Sequence, residues 1–456
     1  MNENLIIDCF AGGGGASVGI EMALGRPVDI AINHDPDAIL MHRTNHPDTL
    51  HLTEDIFKVN LKKYVKGRKV ALMWASPDCT HFSKAKGDRP LKQEIRMLPM
   101  SVVKHAKAVK PDVIIMENVE EIRQWGPLNK KGRPIKSKKG KSYQNFIKKM
   151  YLAGYTKIET KELVAADYGA PTTRKRWYAI FRRDGRPIVW PEQSHFRDGS
   201  PKWLECGNYI DWSDLGSSIF DRKKPLAEST QKRIANGIRK YIVNNPSPYI
   251  VRNEKAIAFM IQYHGETKEG DSRGSLLTEP IKTIDTSNRY GLVTAFITKY
   301  YKSGIGQGCD EPLHTITTSP GHFGLISAFL IKYYGSGENC QRADRPLGTI
   351  TTKDRFGFVN VVLDIEGEKY IIKDIFLRML KPVELKLMQG FPEDYIIDRD
   401  YMGRKYPVNK QVARIGNSVV PIIARKLVEA NCGYLKVGER VGNMRIDYSG
   451  YQLKFA

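Results

Sequence analysis

The 456-residue chain holds only six cysteines, Cys9, Cys79, Cys206, Cys309, Cys340 and Cys432, and no two form a Cys-x-x-Cys pair. Neither a zinc cluster nor a disulfide framework follows from that spacing, and a reducing cytosol fits it. No apolar run approaches the ~20 residues that cross a bilayer. Nor does a charged segment followed by an apolar one open the chain, as in a secretory leader. Acid is in deficit too: 50 Asp and Glu stand against 72 Lys and Arg, a net charge of +22. Such an excess points to a polyanionic partner, and nucleic acid suits it better than a membrane. Hydrophobic residues make up 41% of the chain, which supplies real cores and argues against global disorder. The length suggests two domains.

The chain opens with Leu5-Ile6-Ile7-Asp8-Cys9-Phe10-Ala11 and then Gly12 to Gly15. This reads as a short buried strand running into a glycine turn, with a helix over Ala16 to Leu24. Glycines there let a ligand approach the backbone. A proper GxGxxG is missing, because Ser17 stands where the third glycine belongs, so the dinucleotide reading is weak. A second strand over Val28–Ile32 leads to Asn33 and Asp35, placed to hold a ribose or simply to form a surface loop. Asp55-Ile56 follows a third short strand, where Asp55 can accept from an adenine amino group.

Lys69 to Trp74 is an apolar run short enough for a buried strand, and Pro77-Asp78-Cys79 follows it. Cys79 thus sits just past a strand's C-terminal end, where open α/β sheets place their ligands. A thiol there serves as a nucleophile if its thiolate is stabilised, and otherwise as a buried structural cysteine. After a helix-like stretch from Glu94 to Val109, the apolar run Val113–Met116 ends in Glu117-Asn118-Val119. In a parallel sheet Glu117 and Cys79 emerge on one edge. A strand-end acid also serves as the N-terminal charge of a following helix. Residues 129–141 are densely basic, either a solvated loop or a phosphate contact. Arg174 and Arg176 enter the strand Tyr178–Phe181 two residues apart and so point to one side, where together they grip an anion or a base edge.

Beyond Trp190 the sequence becomes irregular, and an internal repeat appears. Pro280-Ile281-Lys282-Thr283-Ile284, Pro312-Leu313-His314-Thr315-Ile316 and Pro346-Leu347-Gly348-Thr349-Ile350 recur at intervals of 32 and 34 residues. Ala258-Phe259, Ala295-Phe296 and Ala328-Phe329 open the units, whose β-branched and aromatic density reads as short strands. Three tandem β units form a second domain over roughly 191–375, which is structural filler or, given its Lys and Arg loops, a DNA-reading surface. From Phe376 the pattern returns to helices, and Gly416-Asn417-Ser418 precedes a last helix over 422–430, a candidate backbone ligand site.

Taken together, these segments resemble the DNA cytosine-5 methyltransferases over nearly the whole chain, in that family's order. Asp8–Gly15 looks like its first AdoMet motif and Pro77–Ser83 like its nucleophile loop. Glu117-Asn118-Val119, Arg174-Lys175-Arg176, Arg378-Met379-Leu380 with Glu384 and Gln389-Gly390-Phe391-Pro392, and Gly416–Val419 match the rest. Three positions depart from the pattern: Asp78 intervenes between Pro77 and the cysteine, Thr172 replaces a glutamine, and Asn33 stands where a ribose-binding Glu is usual.

The resemblance implies a Rossmann-like α/β AdoMet-dependent catalytic domain over 1–190. It further implies a β-rich target recognition domain over 191–375 and a segment, 376–456, that packs back on the catalytic domain. Cys79 adds to carbon 6 of a flipped-out cytosine and makes carbon 5 enamine-like. Protonated Glu117 donates to ring nitrogen 3, and Arg176 with Arg174 steadies the base carbonyl and Glu117. AdoMet lies along Phe10, Ala11, Gly12, Gly14 and Gly15, with Asn33 or Asp35 near ribose and Asp55 with Ile56 near adenine. Pro77, Asn417 and Ser418 complete its site. No metal is implied. The partner is double-stranded DNA, the expected state a monomer, and the setting cytoplasmic restriction–modification on the nucleoid. An RNA cytosine-5 methyltransferase is one rival, a catalytically silent DNA-binding relative, favoured only by Asp78, another. A nicotinamide oxidoreductase is remote, since it leaves Cys79 unexplained.

Overall fold

Apolar residues alternating between two faces build the first sheet. The computed structural model describes residues 4–79, 93–251, 256–263, 273–299, 329–332, 340–342, 356–358, 362–365 and 368–437. They fall into two units: 1–203 with 283–286 and 386–456, and 204–282 with 287–385. In the first unit the strands are β1 (Asn4–Cys9), β2 (Ile30–Asn33), β3 (Leu50–Thr53), β4 (Lys69–Ala75), β5 (Val113–Asn118), β6 (Lys157–Val164) and β7 (Lys175–Arg182), in the order β3-β2-β1-β4-β5-β7-β6. The first five run parallel; β7 runs antiparallel to both β5 and β6.

Leu5, Ile7 and Cys9 face one core with Met73, Ala75, Ile114, Met116, Trp177 and Phe181. Ile6, Leu72, Trp74, Ile115, Tyr178 and Ile180 face the other. This two-sided burial is why the central strands read as unbroken apolar runs. The helices α1 (Gly15–Leu24), α2 (Pro36–Asn45), α3 (Leu61–Val65), α4 (Gln93–Arg96), α5 (Pro99–Val109) and α6 (Lys141–Leu152) connect the strands. The single helix expected over 94–109 is two, because Pro99 starts α5 and lacks the N–H that a continuous helix needs. Helices α5 and α6 cover the first core, and α1 covers the second.

The second unit is β-rich. It holds α7 (Glu228–Ile238) and the strands β8 (Ser217–Ser218), β9 (Tyr249–Val251), β10 (Ala256–Gln262), β11 (Gly274–Ser275), β12 (Tyr290–Lys299), β13 (Phe329–Lys332), β14 (Cys340–Arg342), β15 (Phe356–Phe358), β16 (Val362–Ile365) and β17 (Glu368–Met379). One sheet runs β11-β10-β12-β17-β16; β13, β14 and β15 form another. The openings of the first two repeats, Ala258-Phe259 and Ala295-Phe296, lie on the neighbouring antiparallel strands β10 and β12. Phe329 of the third begins β13 in the other sheet, while Ala328 lies outside the described residues. So do Pro312–Ile316 and Pro346–Ile350. Of the first repeat, Pro280–Lys282 belongs to this unit, whereas Thr283–Thr286 counts with the first. Residues 376–379, read above as the start of a helical region, instead continue β17 along β12, Phe376 opposite Thr294. Helix α8 (Pro382–Met388) follows, and α9 (Val408–Asn417) and α10 (Pro421–Cys432) belong to the first unit. There Ile423, Ala424, Leu427 and Val428 of α10 pack into the core that α1 shares.

Candidate active site

The strand order reverses between β1 and β4, and in open α/β sheets ligands lie past the carboxyl ends at such a reversal. Cys79 follows β4 there. Glu117 and Asn118 end β5, and because β7 is antiparallel its N-terminal end, with Arg176 one residue before Trp177, meets them. Topology thus delivers thiol, carboxyl and guanidinium to one edge. Arg176 Nε lies 3.3 Å from Glu117 Oε1, their side chains 13% and 8% exposed. Asn118 Nδ2 donates to Pro77 O at 2.9 Å, tying the strand end to the cysteine loop.

Burial pushes the Cys79 thiol up; Arg176 opposes that most strongly, Glu117 reinforces it, Arg174 opposes it again, and Asp78 adds the smallest upward push. Arg174 is buried. Its Nη1 donates to Gly416 O at 3.1 Å and to Ile284 O at 3.4 Å, and its N–H donates to Thr172 Oγ1 at 3.3 Å. Burial and the charge of Arg176 lower its guanidinium to about 10. Arg174 therefore braces the chain, whereas Arg176 faces the carboxyl. A side chain on Gly416 would run into the Asp285 carbonyl, so that close approach needs glycine.

The residues expected around a cofactor surround one turn. Phe10 has φ +67°, a left-handed conformation uncommon outside glycine and frequent at functional sites. Ala11 and Gly12 to Gly15 carry the chain into α1, whose N-cap is Gly14 with no side-chain cap and whose first turn holds no acid. The uncapped N–H groups of α1 suit an anionic group, as the carboxylate of AdoMet is. The outward face of Gly12 meets nothing beyond Phe10 O within 4 Å. Pro77 stands beside this turn, since the preceding Ser76 donates from its N–H to Cys9 O at 3.3 Å. Ser418 is buried against it, its Oγ 3.3 Å from where a Cβ on Gly13 would lie, and donates to Arg414 O at 2.7 Å. Asn417 is exposed.

Asn33 and Asp35 follow β2, but both are engaged. Asn33 Oδ1 accepts from the Asp35 N–H at 2.9 Å. Asp35 caps α2 and pairs with Arg414 at 2.7 Å. Burial raises its carboxyl, but Arg414 outweighs that and holds it low. Asp55 is exposed with Oδ1 on the Phe57 N–H, and Ile56 is buried, its carbonyl accepting from His105 Nε2 at 2.8 Å. Among the described residues no His, Cys, Asp and Glu group could hold a metal ion.

Three parts of the site were not singled out from sequence: the Asn118 amide on Pro77, Tyr395, whose hydroxyl donates to Gly13 O at 2.6 Å, and a histidine group below the turn. For the last a signal existed, because four of the ten histidines, His34, His42, His46 and His51, fall within one short stretch.

The family model C-5 cytosine-specific DNA methylase matches residues 5–431. The Type II methyltransferase M1.HphI of Haemophilus parahaemolyticus is 32% identical over 194 residues, 41% of this chain and 48% of that one. M.AquIA of Picosynechococcus is 27% identical over 205 residues, 42% of this chain and 77% of that one. The matched stretch therefore spans about half the length of M1.HphI. In fold the chain is similar to the S. pombe Dnmt2 methyltransferase, with TM-score 0.50 and 13% identity over 95% of this chain and 99% of that one.

Proposed function

The chain belongs to the C-5 cytosine-specific DNA methylase family, and from that premise we propose that it transfers the methyl group of AdoMet to carbon 5 of cytosine in duplex DNA. The observation that carries this is the meeting of Cys79, Glu117 and Arg176 at one sheet edge beside the glycine turn. Bound AdoMet would supply an electrophilic methyl. The turn Phe10–Gly15, with Pro77 and Ser418 beside it, would hold that donor, Asn33 and Asp35 would stand toward its ribose, and Asp55 toward its adenine.

The chain's own residues do the rest. Cys79 adds to carbon 6 of the base, breaking the ring conjugation so that carbon 5 becomes the nucleophile. Because burial favours the protonated thiol, Arg176 must offset that preference when the thiolate forms. Glu117, protonated, donates to ring nitrogen 3 as charge develops, and Arg176 holds its other oxygen. Once carbon 5 has taken the methyl, a bound water removes its proton, and the electrons of that C–H bond restore the ring double bond and expel Cys79 as the thiolate. The cytosine must leave the stack to reach these groups, at a cost of a few kcal/mol.

The net charge supports a nucleic-acid substrate, and residues 122–158 carry eleven Lys and Arg with no acid among them. The β-rich second unit is proposed as the target-reading domain. No helix among the described residues is long and apolar enough to cross a membrane, and the proposal takes the chain as a monomer on cytoplasmic DNA. The test is methyl transfer from labelled AdoMet to duplex DNA, comparing the intact protein with Cys79→Ser. Label on carbon 5 that vanishes in the variant supports the reading, and equal labelling by both sinks it. Labelling of matched RNA in preference to DNA would move the substrate.

A further inference from the structure

Beneath the glycine turn lies a chain of polar groups that the methyl-transfer chemistry leaves unused. Ser17 Oγ donates to Asp8 Oδ2 at 2.7 Å. His42 Nε2 lies 2.9 Å from that hydroxyl, and His42 Nδ1 lies 2.8 Å from His51 Nε2. Each member comes from a different element: Asp8 from β1, Ser17 from α1, His42 from α2 and His51 from β3. Asp8, Ser17 and His42 are fully buried, while His51 is partly exposed. The chain therefore runs from solvent to the strand that enters the turn.

We propose that Asp8, Ser17, His42 and His51 form a relay that positions the glycine turn and carries a proton between solvent and Asp8, with His42 as its central positioning residue. That the turn holds AdoMet rests on the functional reading above; the relay itself rests on these contacts. The three bonds admit two polarities. With Asp8 ionised, Ser17 donates to Asp8, His42 donates from Nε2 to Ser17, and His51 donates from Nε2 to His42 Nδ1. With Asp8 protonated on Oδ2 every bond reverses, and His42 donates from Nδ1 to His51. Passing from the first to the second adds one proton at His51 Nδ1 and delivers one to Asp8, and both imidazoles stay neutral.

The surroundings favour neutral imidazoles. Burial, then His46 and His51, hold His42 well below its ordinary value, and burial, then His46 and Arg43, lower His51 to about 4. Burial raises Asp8 to about 7, against the Ser17 hydrogen bond. Cys9 adjoins Asp8 on β1. The remaining faces are closed by His46, its ring centroid 4.5 Å from that of His42 and its Nδ1 3.0 Å from Glu21, and by Tyr395. A side chain on Gly14, whose φ is +90°, would run into the Tyr395 hydroxyl, so the turn rests directly on this buried group. Ser17 lies in the first turn of α1, three residues past Gly14. Losing its partners therefore loosens the backbone that the cofactor would grip.

The test uses the full chain with His42→Leu, Ser17→Ala, their double variant, and His51→Gln, whose amide N–H can still donate to His42. Amide hydrogen exchange over residues 11–18 is measured without ligand, alongside AdoMet and duplex affinities by calorimetry. Long-range proton–nitrogen NMR reads the histidine tautomers. Expected are exchange and AdoMet Kd both raised about tenfold in His42→Leu, with duplex Kd within about twofold. The double variant should be no worse than the worse single one, and His51→Gln, whose amide holds His42 in place but passes no proton, close to wild type in exchange and AdoMet Kd alone. Wild-type His42 and His51 should be neutral with matching tautomers, both Nε2–H or both Nδ1–H. Unchanged exchange in folded His42→Leu and Ser17→Ala, additive losses, or mismatched tautomers would overturn the relay. Wild type that binds no AdoMet would fail the cofactor reading instead, and the exchange and tautomer results would still decide the relay.

Discussion

Arg176 Nε approaches Glu117 Oε1 to 3.3 Å across the β5–β7 edge, and Arg176 is also the strongest influence lowering the Cys79 thiol. One cation therefore serves both reacting groups. Replacing it by Ala takes from Glu117 its ion-pair partner and leaves only the weaker pull of Arg174 against burial at the thiol. Arg176→Ala should shift the pH midpoint of Cys79 alkylation upward and cut methyl transfer by about 10²-fold or more. Alkylation rates across pH, with single-turnover transfer, check both halves. An unmoved midpoint would remove Arg176 from the thiol's control.

Asp78, between Pro77 and the cysteine, is the departure from the family pattern that bears on the thiolate, since an adjacent carboxylate disfavours it. Its side chain is exposed, and its upward push on Cys79 is the smallest of those acting. A carboxylate in water is well screened. Asp78→Asn should therefore lower the alkylation midpoint only slightly and leave methyl transfer within about twofold. A tenfold gain in rate would mean that the carboxylate restrains the nucleophile and gives the departure a functional meaning.

Much of this site was legible because central parallel strands are apolar on both faces, so their ends, and Cys79 and Glu117 with them, could be placed by reading where apolar runs stop. The pairing of Arg176 with Glu117 needed one further fact, that β7 runs backwards. Other features were hidden by distance. Asp35 looked free for a ribose, yet its cap lies on α2 and its counterion, Arg414, arrives from the far end of the chain. Phe376–Met379 looked like the approach to a helix, since partners that make it a strand come from β12. The Asp8 relay draws one residue from each of four elements, which no local pattern displays.

Arg378 and Glu384, which matched a family motif, form a structural clip within the second unit. Arg378 Nη2 and Nη1 donate to Glu384 Oε1 and Oε2 at 2.7 and 2.8 Å. Glu384 also accepts from the Asp211 and Lys381 N–H groups at 2.8 and 2.6 Å. With both side chains nearly buried, removing one partner strands the other charge. Arg378→Ala should destabilise by about 3 kcal/mol or more, read as a fall in urea midpoint. Chemistry at low temperature should survive. A stable variant that is slow in single turnover would instead place Arg378 in the reaction.

Residues 122–158 contain no Asp or Glu, although Glu162 pairs with Arg123 at 2.7 Å, and Lys136, Lys138 and Lys139 are exposed. Phosphate contacts release counterions, so each lost contact reduces the salt dependence of binding by ~0.9 in log–log slope. The triple change to Gln should lower that slope by about one to two and weaken target and non-target duplexes alike. Titrations at several salt concentrations check this. An unchanged slope would leave the basic segment a solvated face.

Burial raises the Asp8 carboxyl from 3.8 to about 7. For a group raised on folding, the stabilising contribution is fully present below its unfolded value and is lost as pH rises toward the folded one. The penalty thus grows between about pH 4 and 7 and is then complete, on the order of 4 kcal/mol. Asparagine accepts the Ser17 hydroxyl equally well but never ionises. His42 and His51, held low, contribute oppositely, losing stability as pH falls toward about 4 for His51, but both are present in the two proteins and cancel in the comparison. Asp8→Asn should therefore gain on wild type by about 2 kcal/mol or more between pH 5 and 7.5, measured by urea unfolding at each pH. Parallel stability curves would mean that Asp8 stays ionised in the fold, with the relay fixed in its first polarity throughout.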